Sequence, residues 1–363
     1  MLLSGSVNVK NWGGSCVDYT TQDLDPLTIA VTDPMYKQKA YACRGCLIHC
    51  GAFYDLKNDS QYGIKDTTRP EYETYSSFAT ATMCKDPQTV FYANHICNEY
   101  GMDTITCGTL IAWVMECYEH GVLTKDDLDG IEAIWGSNEA IKALLDKLCK
   151  DEGCGKILKL GTKHAALAFG KGMEYAMLAG GMEIGQHDPR REIGTGRVYA
   201  YDPTPGRHMR GGLGGGYREL KFDGTGYADV CAMSDNEVVQ NGGFCLFGRA
   251  AVPPGHFMNY INAATGFNYT KQEFYFLGIR SFFMRQAFNL REGQRRKDWT
   301  VSPRLIGNPP LKEGANEGRT NNIKKLGDNF YEALGCDKKT GVPLKQALEL
   351  TGGLEMVIQD LYK

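Results

Sequence analysis

The chain has 363 residues and a formal net charge of −3, with 40 Lys and Arg against 43 Asp and Glu. Its cations are scattered rather than striped, so nothing argues for a nucleic-acid partner. The most apolar window, Leu110 to Met115, breaks at Glu116, well short of the roughly 20 apolar residues of a membrane span. Met1 to Gly5 lacks the basic start and apolar run of a signal peptide, so the thirteen cysteines read as reduced thiols of a cytoplasm rather than a disulfide framework.

In chain order, residues 1–40 are mixed and show no defensible period. Cys43-Arg44-Gly45-Cys46-Leu47-Ile48-His49-Cys50 then places three thiols at a Cys-x2-Cys-x3-Cys spacing. Such a set holds either a tetrahedral zinc or an iron–sulfur cluster, each with a fourth ligand from elsewhere. Paired Cys-x2-Cys units or nearby histidines would mark zinc, and neither follows, so the spacing favours a cluster. Phe53 to Gly63 reads as a small hairpin or loop, and Pro70-Glu71-Tyr72-Glu73-Thr74 as a turn ahead of a helix.

Asp86-Pro87 starts a helix that carries Val90, Ala93, Cys97 and Tyr100 before Gly101 stops it. A second helix is expected from Asp103-Thr104 to His120-Gly121, with Leu110, Val114 and Cys117 inward. Ser137 caps a third, with Ile141, Leu144, Leu145 and Leu148 on one face. The glycine run Gly211 to Gly216 is not followed by Gly-Lys-Ser/Thr, so it is not read as a nucleotide loop. Gln272 to Asn289, rich in Phe, Tyr and Met, and the segment carrying Leu354, Val357, Ile358 and Leu361 are further helices. Strands are few. The expected fold is all-α and multihelical, with two helical subdomains, 1–177 and 178–363.

The order of Cys43-x2-Cys46-x3-Cys50, Pro70 to Thr74, Gly101-Met102-Asp103-Thr104-Ile105 and Gly243-Phe244-Cys245 resembles the aldehyde ferredoxin oxidoreductase family of tungsten–pterin enzymes. Asp188-Pro189-Arg190, the MRQAFNLREG stretch at 284–293 and DKKTGVP at 337–343 are similar too. The resemblance runs from about residue 35 to the end and covers the two helical C-terminal domains of that family, without its β-rich N-terminal domain.

The resemblance implies a [4Fe–4S] cluster on Cys43, Cys46, Cys50 and Cys245 beside a tungsten (or molybdenum) bis-pterin. Each pterin is gripped by a turn of pattern acid-x-x-Gly-Leu-(Asp or Cys), here Asn98 to Asp103 with Gly101 and Met102, and Gln240 to Cys245 with Gly243 and Phe244. Asn98 and Gln240 are amides where the family pattern has acids, and an amide offers a donor as well as an acceptor. Glu73 and His208 resemble the family's acid–base pair, and His187 stands where many members have a tyrosine. His95, with Tyr92 in place of an acid, is not expected to bind a metal. The implied activity is oxidation of an aldehyde, a small-molecule substrate, to a carboxylate, with electrons leaving to ferredoxin or another electron-transfer subunit. Reduction of an aromatic acyl thioester and a non-catalytic electron-transfer role are the alternatives. A β-rich N-terminal domain, as a separate subunit or a missing part, is expected to complete the site against an exposed wall lined by Gly181 to Asp188 and Gly211 to Gly216.

Overall fold

The computed structural model describes residues 1–57, 60–212, 224–253 and 255–362. Helices predominate among them, and the named strands form only two small antiparallel sheets, of three and two strands. No helix among the described residues is long and apolar enough to cross a membrane. The chain divides into two compact units, Met1–Arg191 with Ser302–Thr320, and Glu192–Val301 with Asn321–Lys363. The sequence reading puts the division at 177/178, whereas the units part at 191/192. The reason is that 178–191 is bonded into the first unit. Glu183 Oε1 accepts from Thr162 N at 2.8 Å, Asn8 Nδ2 donates to Gln186 Oε1 at 3.0 Å, and Arg190 Nη1 donates to the Trp12 carbonyl at 3.0 Å.

In the first unit, β1 (Lys37–Tyr41), β2 (Gly51–Asp55) and β3 (Asp66–Thr68) form an antiparallel sheet in that order. Ala52 and Tyr54 of β2 point inward and are fully buried, as period-two alternation requires. The three-cysteine stretch is the β1–β2 connection. Helix α1 (Pro87–Tyr100) starts where Asp86 accepts from Gln88 N and Thr89 N at 3.2 and 3.0 Å. Helix α2 (Thr104–Glu119) starts at Asp103, and α3 (Asn138–Lys150) at Ser137, whose Oγ accepts from Ala140 N at 3.1 Å. These side chains satisfy donors that a helix start leaves open. Phe91, Trp113, Leu144 and Leu145 meet in one core. The strands β4 (Leu178–Ala179) and β5 (Met182–Glu183) follow as a tight hairpin.

The second unit is built on α4 (Ile193–Tyr201), α5 (Thr225–Asn241), the short α6 (Leu246–Ala250), α7 (Lys271–Arg291) and α8 (Ile323–Leu334). Phe282 and Phe283 of α7 are fully buried against Met233, Phe330 and Tyr331, while Phe274 and Tyr275 are only partly covered. The family-like stretches meet here. Arg285 Nη1 donates to Asp202 Oδ1 at 2.8 Å, Asn289 Nδ2 to the Pro203 carbonyl at 2.7 Å, and Gln286 Nε2 to the Gly341 carbonyl at 2.8 Å. Arg285, Gln286 and Asn289 of MRQAFNLREG therefore tie 202–203 and 337–343 to α7.

Candidate active site

The β1–β2 connection turns through the left-handed region at Gly45 and at His49, with φ of 74° and 50°. Cys46 N donates to the Cys43 carbonyl at 3.0 Å, and Ile48 N donates to Cys46 Sγ at 3.4 Å, an N–H aimed at sulfur. The far end of the loop is fixed from beneath, since Arg69 donates to the Cys50 carbonyl and pairs with Asp33 at 3.0 Å. Burial works against ionising Asp33, but hydrogen bonds from Tyr54, Lys37 and Arg69 outweigh it and hold its carboxyl below the usual range. Of the thirteen cysteines only Cys43, Cys50 and Cys245 are exposed, Cys46 is half-buried, and none is in a disulfide. The buried ones are chemically quiet. Burial pushes the Cys84 thiol up to about 12 and the Cys154 thiol up to about 11, whereas ligand cysteines must ionise.

Glu73 lies in the single helical turn Tyr72–Tyr75, which runs on into a π-helical stretch, Ser76–Thr80. Glu71 caps that turn, accepting from Glu73 N at 2.8 Å. The Glu73 carboxylate is 15% exposed, accepts from Gln186 N at 2.6 Å, and has His187 Nε2 at 3.6 Å. The Tyr72 ring lies 5.1 Å from the His187 ring, and its hydroxyl donates to the Gln186 carbonyl at 2.8 Å. Val7 pairs with His187 as an antiparallel bridge, and Asp188 N donates to the Ser6 carbonyl at 3.1 Å. The ion pair Asp188–Arg190, at 2.7 Å, is almost fully buried, where loss of one partner is expensive. Glu183, Ile184, Gly185, Gln186 and Asp188 are buried within this unit. Most of the expected exposed wall over 181–188 is therefore covered, because Gln186, His187 and Asp188 pair with Asn8, Val7 and Ser6 of the N-terminal segment and Glu183 with Thr162, while Met182 stays exposed. The rest of that wall, 213–216, lies outside the described residues.

That N-terminal segment is what the sequence reading missed. Lys10, Asn11 and Trp12 are three successive left-handed residues, with φ of 46°, 47° and 64°, each costing roughly 1–2 kcal/mol unless held. They are held. Lys10 N and Asn11 N donate to the Thr80 and Ala81 carbonyls at 3.0 and 3.1 Å, and Trp12 N donates to Asn8 Oδ1 at 2.7 Å. The turn aims the Trp12 carbonyl at Arg190 and the Asn11 carbonyl at Arg304 Nη1, 3.1 Å away. Its one local signal is an Asn ahead of Gly13-Gly14, since Asn tolerates this conformation.

The two expected pterin turns have the same backbone. Gly101 and Gly243 have φ of 65° and 72°. Met102 N and Phe244 N reach back to the Cys97 and Val239 carbonyls at 2.8 and 3.0 Å, the long bond of a Schellman motif. Asp103 and Cys245 are the N-caps of the next helices. The Asp103 carboxylate accepts from Thr106 Oγ1 at 2.8 Å, whereas Cys245 makes no side-chain capping bond. Asn98 is exposed. Gln240 Nε2 donates to the Met209 carbonyl at 2.8 Å, a bond no carboxylate could make, which leaves its oxygen as an acceptor. His208 lies in the 206–211 segment of the second unit, its ring edge-on to Tyr199 at 6.3 Å.

The donor chemistry suits the implied groups. Accessible thiols fit a cluster better than any other cysteines here, and two exposed turns that open on amides offer the acceptors and donors that a pterin edge requires.

The family model described as aldehyde ferredoxin oxidoreductase, domains 2 and 3, matches residues 3–352. The tungsten-containing aldehyde ferredoxin oxidoreductase of Pyrococcus furiosus is 28% identical over 96% of this chain and 57% of its own length. That of Pyrococcus abyssi is 30% identical over 87% and 53%, and the WOR-like subunit of an aliphatic sulfonate oxidoreductase of Pyrococcus furiosus is 30% identical over 87% and 50%. The chain spans about half the length of these curated relatives. In fold it is similar to a chain of the active site complex BamBC of benzoyl coenzyme A reductase, in complex with 1,5-dienoyl-CoA, with a TM-score of 0.73 and 20% identity over 98% of this chain and 59% of that one. The chain belongs to the aldehyde ferredoxin oxidoreductase family, within the part that forms its domains 2 and 3.

Proposed function

We propose that this chain is the cluster- and pterin-bearing part of an oxidoreductase that converts an aldehyde to a carboxylic acid and passes the electrons to ferredoxin or another electron-transfer subunit. The observation that carries the reading is the cysteine pattern: the only three exposed cysteines of thirteen are three of the four that the family likeness assigns to a [4Fe–4S] cluster. Cys43, Cys46, Cys50 and Cys245 would hold the cluster. Asn98, Gly101, Met102 and Asp103, with Gln240, Gly243 and Phe244, would hold the pterins of a tungsten or molybdenum centre. Such a centre supplies two-electron acceptance and the cluster single-electron exit.

The chain's own residues handle protons. Aldehyde oxidation adds a water oxygen to the carbonyl carbon, so a base must take a proton from that water and a donor must meet the developing alkoxide. Glu73, fixed by the Gln186 N–H, is the base in this reading. His187 beside it takes up or returns that proton, and His208 serves the carbonyl oxygen.

The test is an anaerobic assay of the holoenzyme with its native partners, following a viologen dye. Carboxylate formation with two reduced dye molecules per aldehyde is expected. Turnover of an aromatic acyl thioester or an aliphatic sulfonate, with none of aldehydes, would overturn the substrate class. A protein that holds iron alone and turns over nothing would overturn the enzyme reading in favour of an electron carrier.

A further inference from the structure

We propose that Glu237 is a positioning residue for His208, acting through Arg210; the role rests on the reading of His208 as the group that serves the substrate oxygen. Helix α5 grips the 206–211 segment at three points on one face. Asn236 Nδ2 donates to the Gly211 carbonyl at 3.0 Å, Gln240 Nε2 donates to the Met209 carbonyl at 2.8 Å, and Glu237 Oε2 stands 3.7 Å from Arg210 Nη1. The guanidinium two residues from His208 is thus held between two clamped carbonyls. Two of the three links are neutral amides, and only the third can change with pH.

Glu237 is fully buried, and Arg210 is 39% exposed. Among the described residues the charged groups that face Glu237 are Arg285 from α7, Asp202 from the end of α4, and Arg210 itself. Arg285 donates to Oε1, while Oε2 makes no hydrogen bond, so Arg210 is the cation that balances that oxygen. Burial, opposed by Arg285 and reinforced by Asp202, pushes the Glu237 carboxyl up to about 7. Above that pH the carboxylate attracts Arg210. Below it the neutral acid still accepts from Arg285, and Arg210, being partly exposed, turns to water. Two neutral links then hold the segment.

The sign of the stability effect follows. A folded value above the ordinary 4.5 means that the contribution of neutral Glu237 is fully present below about pH 4.5 and is lost as pH rises through about 7. The global fold therefore weakens over the window in which the His208 segment tightens.

The test is hydrogen–deuterium exchange of the 204–212 peptide in the full chain from pH 6 to 8, corrected for intrinsic rates. Wild-type protection should rise about two- to fivefold, the worth of a partly exposed ion pair, and should stay flat in Glu237→Gln and in Arg210→Met. If Glu237→Gln fails to fold, Arg210→Met, at a partly exposed site, gives the same readout. In the holoenzyme kcat should rise through the same window in wild type only, with KM unchanged in the variants. Identical pH profiles of exchange in wild type and Arg210→Met would overturn the proposal. A tightening seen in exchange with no aldehyde turnover at any pH would support the Glu237–Arg210 link and overturn the substrate reading instead.

Discussion

A carboxylate that takes a proton from water has to be fixed in direction and near a second group that can accept the charge. In the proposed reaction the Gln186 N–H, 2.6 Å from Glu73, would serve the first purpose and His187 Nε2, 3.6 Å away, the second. Glu73→Gln keeps an oxygen for the Gln186 N–H but cannot act as a base. Turnover should fall by roughly a hundredfold or more while iron and pterin contents stay as in wild type. Near-normal turnover on the true substrate would move the role away from Glu73. Pro70 to Thr74 by itself reads as a turn ahead of a helix, and only the family resemblance singles out Glu73. Its supports were not legible, because Asn8 and Trp12 reach Gln186 and Arg190 across most of the first unit's chain length, and no local period announces a left-handed turn. The resemblance singles out His187 and His208 as proposed site residues, while Glu237 looks in the sequence like any acid on a helix.

Helix ends were read well because their causes are local. Asp86, Asp103 and Ser137 cap the helices expected of them, and Gly101 and Gly243 take the positive φ that only glycine adopts at little cost. The two turns share one geometry for the same reason. The strands of the first unit were less legible, being three to five residues long and interrupted by the cysteine loop, too short for an alternation to declare itself. Packing distance was not legible at all. A Cβ on Gly278 of α7 would run into the Ser234 carbonyl of α5, so this glycine sets how closely the two helices approach. Gly278→Ala improves helix propensity by about 1 kcal/mol but overpacks the crossing by about 1–3 kcal/mol. The net expectation is a lower denaturant midpoint with an unchanged m-value. A midpoint equal to or above that of wild type would show that α5 and α7 are less tightly opposed than described.

At the scale of the whole molecule, the multihelical class followed from periodicity, and the family from the order of short motifs rather than from any one of them. The division between units did not, since 178–191 looks like the start of a second domain until its bonds to residues 6, 8, 12 and 162 are seen. The chain spans about half the length of its curated relatives, and in the proposed function a β-rich domain, as a partner or a missing part, would supply the remaining contacts to the pterins. The central claim can be tested without that partner. Iron, acid-labile sulfide and zinc should be counted per chain in anaerobically purified protein, wild type and Cys245→Ser. About four irons and four sulfides, the content of a four-cysteine cubane, are predicted for wild type, with loss or destabilisation in the variant. One zinc and no sulfide, or a full and spectroscopically unchanged cluster in Cys245→Ser, would contradict it.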